Sequence, residues 1–263
     1  MHQLPGEAGV GAALSPGTMG LSAAATTARR LVEPVLTVVF PSACAACGRL
    51  LAQPTRGPLC GPCWSALPRH RTPSCGCGLP LAPGRPACAR CRRDRQPFAA
   101  GASLGPYEGS LRVAIHELKY RGRRRVASRL AQVLLEDDHT RALVAGSHVL
   151  VPVPLHPRRL HERGFNQASL IAREVGRRAG RPCDDRVLVR RRDTVPQAGL
   201  SAAARRRNVA GAFVVRRRGL VTGQVVTLVD DVLTTGATAH ACAQALRMAG
   251  AREVRLLSVA RVV

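Results

Sequence analysis

A stretch near the carboxyl end, VVTLVDDVLTTGATA (residues 225–239), joins an apolar run to residues that can bind hydroxyl groups and an anion. Asp230 and Asp231 follow the run directly, and three threonines lie within residues 234–238. Two adjacent carboxylates repel each other, so a compensating charge is expected beside them. A sugar phosphate would use both halves, because its hydroxyls donate to the carboxylates while the threonine-rich loop holds its phosphate.

The segment after the two aspartates predicts an anion site. Leu233–Thr238 is expected to loop into a helix that begins near Ala237, and backbone N–H groups at such a turn bind anions. The candidate phosphate ligands are Thr234, Thr235, Gly236, Ala237 and Thr238. A divalent metal nearby would reduce the repulsion between the carboxylates. The alternative is a solvated turn in which Asp230 or Asp231 is the N-cap of the helix.

Eight of the ten cysteines form four closely spaced pairs. The pairs are Cys44 and Cys47, Cys60 and Cys63, Cys75 and Cys77, and Cys88 and Cys91. A Cys-x-x-Cys turn directs two thiolates to one point, and a second turn completes a tetrahedral zinc site. Disulfides would need an oxidising compartment, and nothing in the sequence directs export. We therefore expect two structural four-cysteine zinc ribbons, built from consecutive pairs or by crossed pairing.

The chain of 263 residues has a formal net charge of +24, which favours polyanionic partners such as nucleic acid, phosphorylated ligands or anionic lipid. Lys119 is the only lysine, and a bias toward arginine this complete is also what GC-rich coding produces. No apolar segment reaches the roughly 20 residues needed to span a bilayer. We expect a cytoplasmic protein whose first 37 residues form a disordered or short helical extension.

From about Phe98 onward, short valine-rich runs alternate with helical patterns. Strands are predicted at Val149–Val153, Val187–Val189, Val225–Val229 and Val254–Val259. Helices are predicted at Ser110–Lys119, Arg125–Leu135, Asn166–Ala179 and Ala237–Met248. This alternation predicts an α/β domain with a mainly parallel sheet and helices on both faces. Ligands bind beyond the carboxyl ends of such strands, which is where Asp230 and Asp231 are expected.

The string from Val225 to Thr238 resembles the motif of type I phosphoribosyltransferases: an apolar strand, two acidic residues, two variable positions and Thr-Thr-Gly-x-Thr. HELKYRG (116–122), VPVPLHPRRLHERGFNQA (151–168) and RRDTVPQAGLSAAARRRNVAGAF (191–213) resemble the ComF family of competence-associated proteins. The resemblance covers residues from about 38 to 263. It departs at Ser74, where the family usually has the first cysteine of a Cys-x-x-Cys pair.

The resemblance implies a type I phosphoribosyltransferase-like domain over residues 96–263, preceded by a double zinc ribbon over residues 38–95. It also implies that Asp230 and Asp231 hold the ribose hydroxyls of phosphoribosyl pyrophosphate (PRPP). The loop Pro154–Arg158 would face the pyrophosphate, and Mg²⁺ would bridge pyrophosphate and ribose oxygens. A mobile loop that closes over the site would contain Gln197, Ser201, Arg207 and Asn208.

Basic side chains near this region are candidates for the pyrophosphate. Arg158, Arg159 and Arg163 suit phosphate because the guanidinium fork matches its oxygens, although any one of them could equally belong to a solvated basic face. His156 is a candidate ligand or acid–base group, with a packing or surface role as the alternative. Lys119 suits a phosphate reached from another element, and the alternative is a cation at a helix end.

Three functions are consistent with these residues. An enzyme of the glycosyltransferase class would displace pyrophosphate from PRPP with an unidentified nitrogen nucleophile, mainly by positioning and by neutralising the leaving group. A competence factor would bind single-stranded DNA through the zinc ribbons and the arginine runs, in association with the DNA-uptake machinery. A regulator would sense PRPP without turnover. Salt dependence distinguishes DNA binding, and pyrophosphate release distinguishes the enzyme from the sensor.

Overall fold

The structure is a computed structural model that describes residues 42–53, 57–93, 96–192 and 202–262. The extension expected over residues 1–37 lies outside the described residues. The strands are β1 (Ala100–Pro106), β2 (Val149–Pro152), β3 (Leu188–Arg190), β4 (Phe213–Val215), β5 (Val225–Leu233) and β6 (Glu253–Arg261).

The helices follow the predicted pattern closely and include several that were not predicted. They are α1 (Gly61–Ser65), α2 (Ala89–Arg93), α3 (Gly109–Tyr120), α4 (Arg125–Leu135), α5 (Asp138–Ala145), α6 (Pro157–Arg163), α7 (Gln167–Ala179), α8 (Ala202–Val209) and α9 (Ala237–Met248). Among the described residues, no helix combines the length and apolar character that a membrane span requires.

The main sheet has four parallel strands in the order β1-β6-β5-β2. β5 lies between β6 and β2, with Val229 opposite Leu257 on one side and Pro152 on the other. Because all four strands are parallel, their carboxyl ends meet at one edge of the sheet. The chain segments that follow β2 and β5 therefore lie side by side, as the predicted ligand site requires.

Apolar side chains form a core on each face of the sheet. One cluster includes Leu111 of α3, Leu130 of α4 and Ile171 of α7, which are all fully buried. The other includes Cys242 and Leu246 of α9 together with side chains of β3 and β4. The predicted α/β class, with a parallel sheet, flanking helices and a preceding zinc-ribbon region, is confirmed. Cys242 is the small core residue that its position on an alanine-rich helix predicts.

Three sequence expectations need correction. The run at Val187–Val189 does not join the parallel sheet, because Leu188–Arg190 pairs antiparallel with Phe213–Val215. β1 was not predicted, since its sequence AGASLGP lacks a valine-rich run. β5 continues past Val229 to Leu233, because β6 is long enough to pair with it there. The two aspartates therefore lie within the strand, and the N-cap residue of α9 is Gly236.

The cysteine-rich region packs against the outer strand of the sheet. The backbone amide of His70 donates to the carbonyl of Leu104 in β1 at 2.8 Å. A Cβ atom added to Gly105 would lie 1.9 Å from the carbonyl oxygen of Pro68, so the two backbones are in direct contact. The zinc-ribbon region therefore protects a strand that would otherwise expose hydrogen-bonding groups at the edge of the sheet.

Candidate ligand site and metal centres

The eight paired cysteines converge into two separate groups. In each group the four sulfurs lie within 4.8 Å of one another. The first site contains Cys44, Cys47, Cys60 and Cys63, and the second site contains Cys75, Cys77, Cys88 and Cys91. Consecutive pairs therefore combine, and the alternative of crossed pairing is excluded. The shorter Cys75-x-Cys77 spacing, with Ser74 in place of the usual cysteine, still brings four sulfurs together.

Both groups have the geometry of a tetrahedral zinc site. With Zn–S bonds of about 2.3 Å, neighbouring sulfurs of a regular tetrahedron lie about 3.8 Å apart. The distance is 3.7 Å between Cys47 Sγ and Cys60 Sγ, and also 3.7 Å between Cys77 Sγ and Cys88 Sγ. Four cysteine ligands leave no open coordination position. The two sites therefore fit structural Zn²⁺, as predicted.

Backbone amides prepare both sites for a cation. Cys60 N donates to Cys44 Sγ at 3.3 Å, and Cys88 N donates to Cys75 Sγ at 3.5 Å. Burial opposes ionisation of these thiols, but the amide hydrogen bonds outweigh it. The pKa of Cys44 falls to about 6 and that of Cys75 to about 7. These amides thus favour the thiolate form of Cys44 and Cys75, which is the form that binds zinc.

Asp230 and Asp231 lie within β5, near its carboxyl end. Lys119, in the last turn of α3, brings its Nζ atom within 2.9 Å of Asp231 Oδ2. The side chains of Lys119 and Asp231 are only 17% and 13% exposed. The compensating charge expected beside the two carboxylates is therefore supplied by the only lysine of the chain.

The three charged groups are electrostatically coupled. Burial and the neighbouring Asp231 raise the pKa of Asp230 to about 8, although Lys119 partly opposes this rise. Burial alone would lower the pKa of Lys119, but its ion pair with Asp231 dominates and the pKa lies above its ordinary value. Asp230 thus binds a proton more readily than an ordinary carboxyl group, and a bound cation would favour its ionised form.

The loop after β5 forms the turn that the sequence predicts. Gly236 adopts a left-handed conformation with φ of 71° and is the N-cap residue of α9, with no side-chain capping bond. Thr235 Oγ1 accepts a weak hydrogen bond from Ala237 N at 3.4 Å. Thr234 is exposed, whereas Thr235 and Thr238 are half-buried. The amino end of a twelve-residue helix thus follows the threonine-rich loop directly, as an anion site at this turn requires.

The predicted arginines after β2 divide into two groups. Arg159 and Arg163 line a cavity of about 430 Å³ together with Lys119 and Tyr120. Arg163 Nη1 donates to Gln167 Oε1 at 3.0 Å, and its guanidinium lies 5.4 Å from the centre of the Tyr120 ring. Arg158 is exposed and pairs with Glu162 of its own helix. Arg159 and Arg163 are therefore placed beside the carboxylate site, and Arg158 is directed along α6.

His156 and Asn166 have local structural contacts at the ends of the segment after β2. His156 Nδ1 accepts from Arg158 N at 3.4 Å and caps α6. Asn166 was not singled out in the sequence, although Asn is a preferred N-cap. Its Nδ2 donates to Val153 O at 2.9 Å, and its Oδ1 accepts from Ala168 N at 3.0 Å. Asn166 thus ties α7 to the loop that follows β2.

The expected closing segment is only partly described. Gln197 and Ser201 lie outside the described residues. Arg207 is exposed on α8, and the carbonyl of Asn208 accepts from Arg192 Nη2 at 3.0 Å. α8 packs against α9, the helix that begins at Gly236. Whether these four residues close the site stays a prediction.

Two arginines that the sequence analysis did not single out contact the loop or the residues around it. Arg90 of α2 donates from Nη1 to the carbonyl of Thr235. Arg261, at the end of β6, is 3% exposed and donates to Cys77 O at 3.0 Å. Burial lowers the pKa of Arg261, and the positive charge of Arg90 lowers it further. In the sequence, Arg261 could have been found as the basic residue that ends the apolar run of β6.

The comparisons with known proteins agree with this architecture. Residues 35–93 match the model of the double zinc ribbon domain family. The chain is 35% identical to DNA utilization protein YhgH of Salmonella typhimurium, over 86% of this chain and 99% of the relative. The chain belongs to the ComF family. Competence protein F of Haemophilus influenzae is 29% identical, over 77% of this chain and 90% of that relative. Competence protein ComFC of Bacillus subtilis is 26% identical, over 72% of this chain and 77% of that relative.

Solved structures give a weaker likeness. A glutamine phosphoribosylpyrophosphate amidotransferase from B. subtilis aligns over 55% of this chain and 30% of its own, with 22% identity and a TM-score of 0.38. A phosphoribosyltransferase from Corynebacterium diphtheriae aligns over 57% of this chain and 71% of its own, with 23% identity and a TM-score of 0.30. Because both TM-scores are below 0.5, this likeness supports no functional inference.

Proposed function

We propose that this ComF-family chain binds PRPP with Mg²⁺ at the carboxyl end of β5. Asp230 and Asp231 accept hydrogen bonds from the ribose hydroxyls, and the 234–238 loop with the amino end of α9 binds the 5′-phosphate. The observation that carries the proposal is a pair of carboxylates, one of them paired with Lys119, on the strand that leads into a glycine turn and a helix with no side-chain cap. In this proposal residues 38–95 are a structural zinc module and residues 96–263 bind the ligand.

The cavity beside Lys119 is the proposed site of the pyrophosphate. Arg159 and Arg163 supply guanidinium groups there, beside Lys119, which is paired with Asp231, and Glu162, which is paired with Arg158. Cations held in place before the reaction stabilise the charge that develops on a leaving pyrophosphate. Mg²⁺, when bound, would neutralise pyrophosphate oxygens and also reduce the repulsion between Asp230 and Asp231. The acceptor nucleophile stays unassigned.

A calorimetric titration of zinc-loaded protein with PRPP and Mg²⁺ tests the binding. The double variant Asp230→Asn/Asp231→Asn is expected to abolish binding. The matched control is Asp184→Asn/Asp185→Asn, since these adjacent aspartates pair with Arg217 and Arg173 elsewhere on the chain. Binding that survives the first double variant, or is lost equally in both, contradicts the proposal.

Turnover is a separate question from binding. Release of pyrophosphate in the presence of nitrogen nucleophiles would show a transferase, with Lys119 and Arg163 as the residues placed to assist departure of the leaving group. PRPP binding without pyrophosphate release for any acceptor offered would indicate a sensor of PRPP. In both cases, ribose 5-phosphate should bind more weakly than PRPP, because it lacks the pyrophosphate that the cationic cavity would hold.

A second candidate function is the binding of single-stranded DNA, in association with DNA uptake. The observation that favours it is a groove of about 790 Å³ between the first zinc site and α4. Arg49, Arg125, Arg129 and Arg178 line this groove, and its described lining contains no acidic residue. The relatives are named DNA utilization and competence proteins. Both functions can coexist, because the groove and the carboxylate site have different lining residues.

DNA binding is tested by measuring the affinity for a single-stranded oligonucleotide at several salt concentrations. Contacts with several phosphates should make the affinity fall steeply as salt rises. Arg125→Gln/Arg129→Gln should weaken binding and reduce the slope. Arg141→Gln/Arg177→Gln removes the same charge from exposed arginines that are paired within their own helices, and should have less effect. An affinity that does not change with salt would exclude this function.

A further inference from the structure

The second zinc site and the 234–238 loop are in direct contact. Arg90 lies in α2, one residue before the metal ligand Cys91, and its guanidinium donates to the carbonyl of Thr235. This bond joins residues that are 145 positions apart in the chain. A side chain of the zinc-ribbon region thus fixes the backbone of the proposed phosphate loop.

Arg261 forms a second link between the same two parts. It is paired in register with Leu233, the last residue of β5 before the loop. Its Nη1 atom donates to the carbonyl of the metal ligand Cys77. A Cβ added to Gly236 would lie 3.6 Å from the same Nη1 atom of Arg261. Its Nε atom has no hydrogen-bond partner among the described residues. The guanidinium of Arg261 therefore lies between the second zinc site and the glycine turn.

Close packing supports these two bonds. A Cβ added to Gly78 would lie 3.5 Å from a side-chain methyl of Leu233. Next to it, a Cβ on Gly101 of β1 would lie 2.4 Å from the carbonyl oxygen of Gly76. The turn between Cys75 and Leu79 thus rests on the strands that carry the ligand site.

The charges of the two parts are complementary. Four thiolate ligands give a zinc centre a net negative charge, and two buried or half-buried arginines lie beside the second site. Zinc ribbons have little apolar core, so the folded state of the ribbon depends on the metal. When the metal is removed, the positions of Cys77 O and Arg90 are no longer fixed, and neither arginine retains its anionic neighbour.

We propose that the second zinc site holds the 234–238 loop in its binding conformation through Arg90 and Arg261. Loss of that metal loosens the loop and weakens binding of the phosphorylated sugar; the effect on binding rests on the proposed function. The first zinc site does not have this effect, because its described neighbours belong to another surface. There Arg129 of α4 lies over Trp64, at 5.9 Å from the ring.

The link through Arg90 is tested with matched variants of one helix. Arg90→Met removes the bond to Thr235. Arg92→Met removes the same charge from α2, but Arg92 contacts only Ala87 within the zinc-ribbon region among the contacts described for it. With both zinc ions retained, PRPP affinity is expected to fall by roughly fivefold in Arg90→Met. It should stay within error of the wild type in Arg92→Met. Equal affinities in the two variants would overturn the proposal.

The role of the metal is tested by backbone hydrogen exchange, which needs no ligand. Cys91→Ser opens the second site and Cys63→Ser opens the first. Exchange over residues 233–240 should be faster by about tenfold or more in Cys91→Ser and unchanged in Cys63→Ser. Equal exchange in both variants would overturn the proposal. If Cys91→Ser does not fold, the same comparison between Arg90→Met and Arg92→Met decides the question.

The two experiments separate failure of this inference from failure of the proposed function. If the wild type binds no PRPP, the proposed function fails, and hydrogen exchange still decides whether the second zinc site holds the loop. If PRPP binds but neither affinity nor exchange depends on Arg90, the proposed function stands and the coupling is wrong. Faster exchange and weaker binding together would support both.

Discussion

At the scale of single residues, the lysine at position 119 balances two carboxylates. Lys119→Met keeps most of the apolar stem and removes the charge. Asp231 would then lose its partner at 2.9 Å while it stays largely buried beside Asp230. We expect the free energy of unfolding to fall by about 2 kcal/mol, which denaturant titration would measure.

The control for this prediction is a double-mutant cycle with Asp231→Asn. Asp231→Asn leaves no buried carboxylate at this position for Lys119 to pair with. Lys119→Met should therefore lower the free energy of unfolding much less in that background. Lys119→Arg, which keeps the charge, should retain more of the stability than Lys119→Met. If Lys119→Met costs the same in both backgrounds, the ion pair does not stabilise the fold.

The raised pKa of Asp230 predicts a pH dependence of stability. Its pKa is about 8 in the folded state and about 4 in the unfolded chain, so the folded state binds more protons between these values. The free energy of unfolding should therefore fall as pH rises through this window and level off above pH 8. Asp230→Asn cannot ionise and should not show this fall.

The comparison between wild type and Asp230→Asn is best made at pH 5.5 and pH 8.5 by denaturant unfolding. The variant should gain stability relative to the wild type by roughly 3 kcal/mol between these two pH values. Exposed carboxylates ionise below pH 5.5, and their contribution is the same in both proteins, so it cancels in the difference between wild type and variant. A difference that does not change with pH would show that Asp230 is ionised throughout.

At the scale of elements, the turn between β5 and α9 depends on one glycine. Gly236 has a positive φ, which side-chain-bearing residues adopt at a cost of about 1 kcal/mol. Gly236→Ala should lower the free energy of unfolding by that amount and weaken PRPP binding more strongly, because the added methyl group lies against Arg261. Denaturant unfolding and calorimetry would measure the two effects.

Gly219→Ala is the control for this prediction. Gly219 lies in a short 3₁₀ helix and has no atom within 4 Å of an added Cβ. Gly219→Ala should therefore leave both the free energy of unfolding and PRPP binding close to those of the wild type. If Gly236→Ala behaves like Gly219→Ala, the turn tolerates a side chain and the loop conformation is not essential.

The elements that the sequence predicts best are those with a strong local signal. α4 was predicted at Arg125–Leu135, and the structure has the same bounds, because apolar positions recur there at helical spacing. β1 gave no such signal, because its sequence is rich in alanine, glycine and serine. These small residues allow the zinc-ribbon region to pack closely on the strand, which only the tertiary structure reveals. The antiparallel pairing of β3 also depends on a distant partner, Phe213–Val215, which no local pattern specifies.

The candidate site shows the same division between local and distant information. Asp230, Asp231 and the following threonines are adjacent in sequence, so their motif could be read directly. The partner of Asp231 is Lys119, which belongs to a helix that follows another strand. The sequence singled out Lys119 as the only lysine but assigned it to a phosphate or a helix end. Only the packing of α3 against the sheet brings it to a carboxylate.

At the scale of the whole molecule, the zinc-ribbon region and the sheet form one structure. Leu51, Leu59, Leu67 and Trp64 of this region belong to the same apolar cluster as α3 and α4. Arg69 pairs with Glu136 at 2.7 Å, although both side chains are substantially exposed and contribute little. The backbones are also in direct contact at Pro68 and Gly105. Binding of zinc should therefore stabilise the sheet as well as the ribbons.

Gly105→Ala tests this dependence, because the added methyl group would lie 1.9 Å from Pro68 O and the two backbones must separate. That separation also strains the bond from His70 N to Leu104 O. We expect a loss of roughly 3 kcal/mol in the free energy of unfolding and faster hydrogen exchange in β1. Both zinc ions should be retained, since all eight ligands belong to the zinc-ribbon region.

Gly61→Ala is the control for this prediction. An added Cβ at Gly61 meets nothing within 4 Å, so the change should leave stability and exchange nearly unchanged. If Gly105→Ala unfolds at the same denaturant concentration as the wild type, the zinc-ribbon region and the sheet are independent units, and metal binding would not stabilise the ligand site.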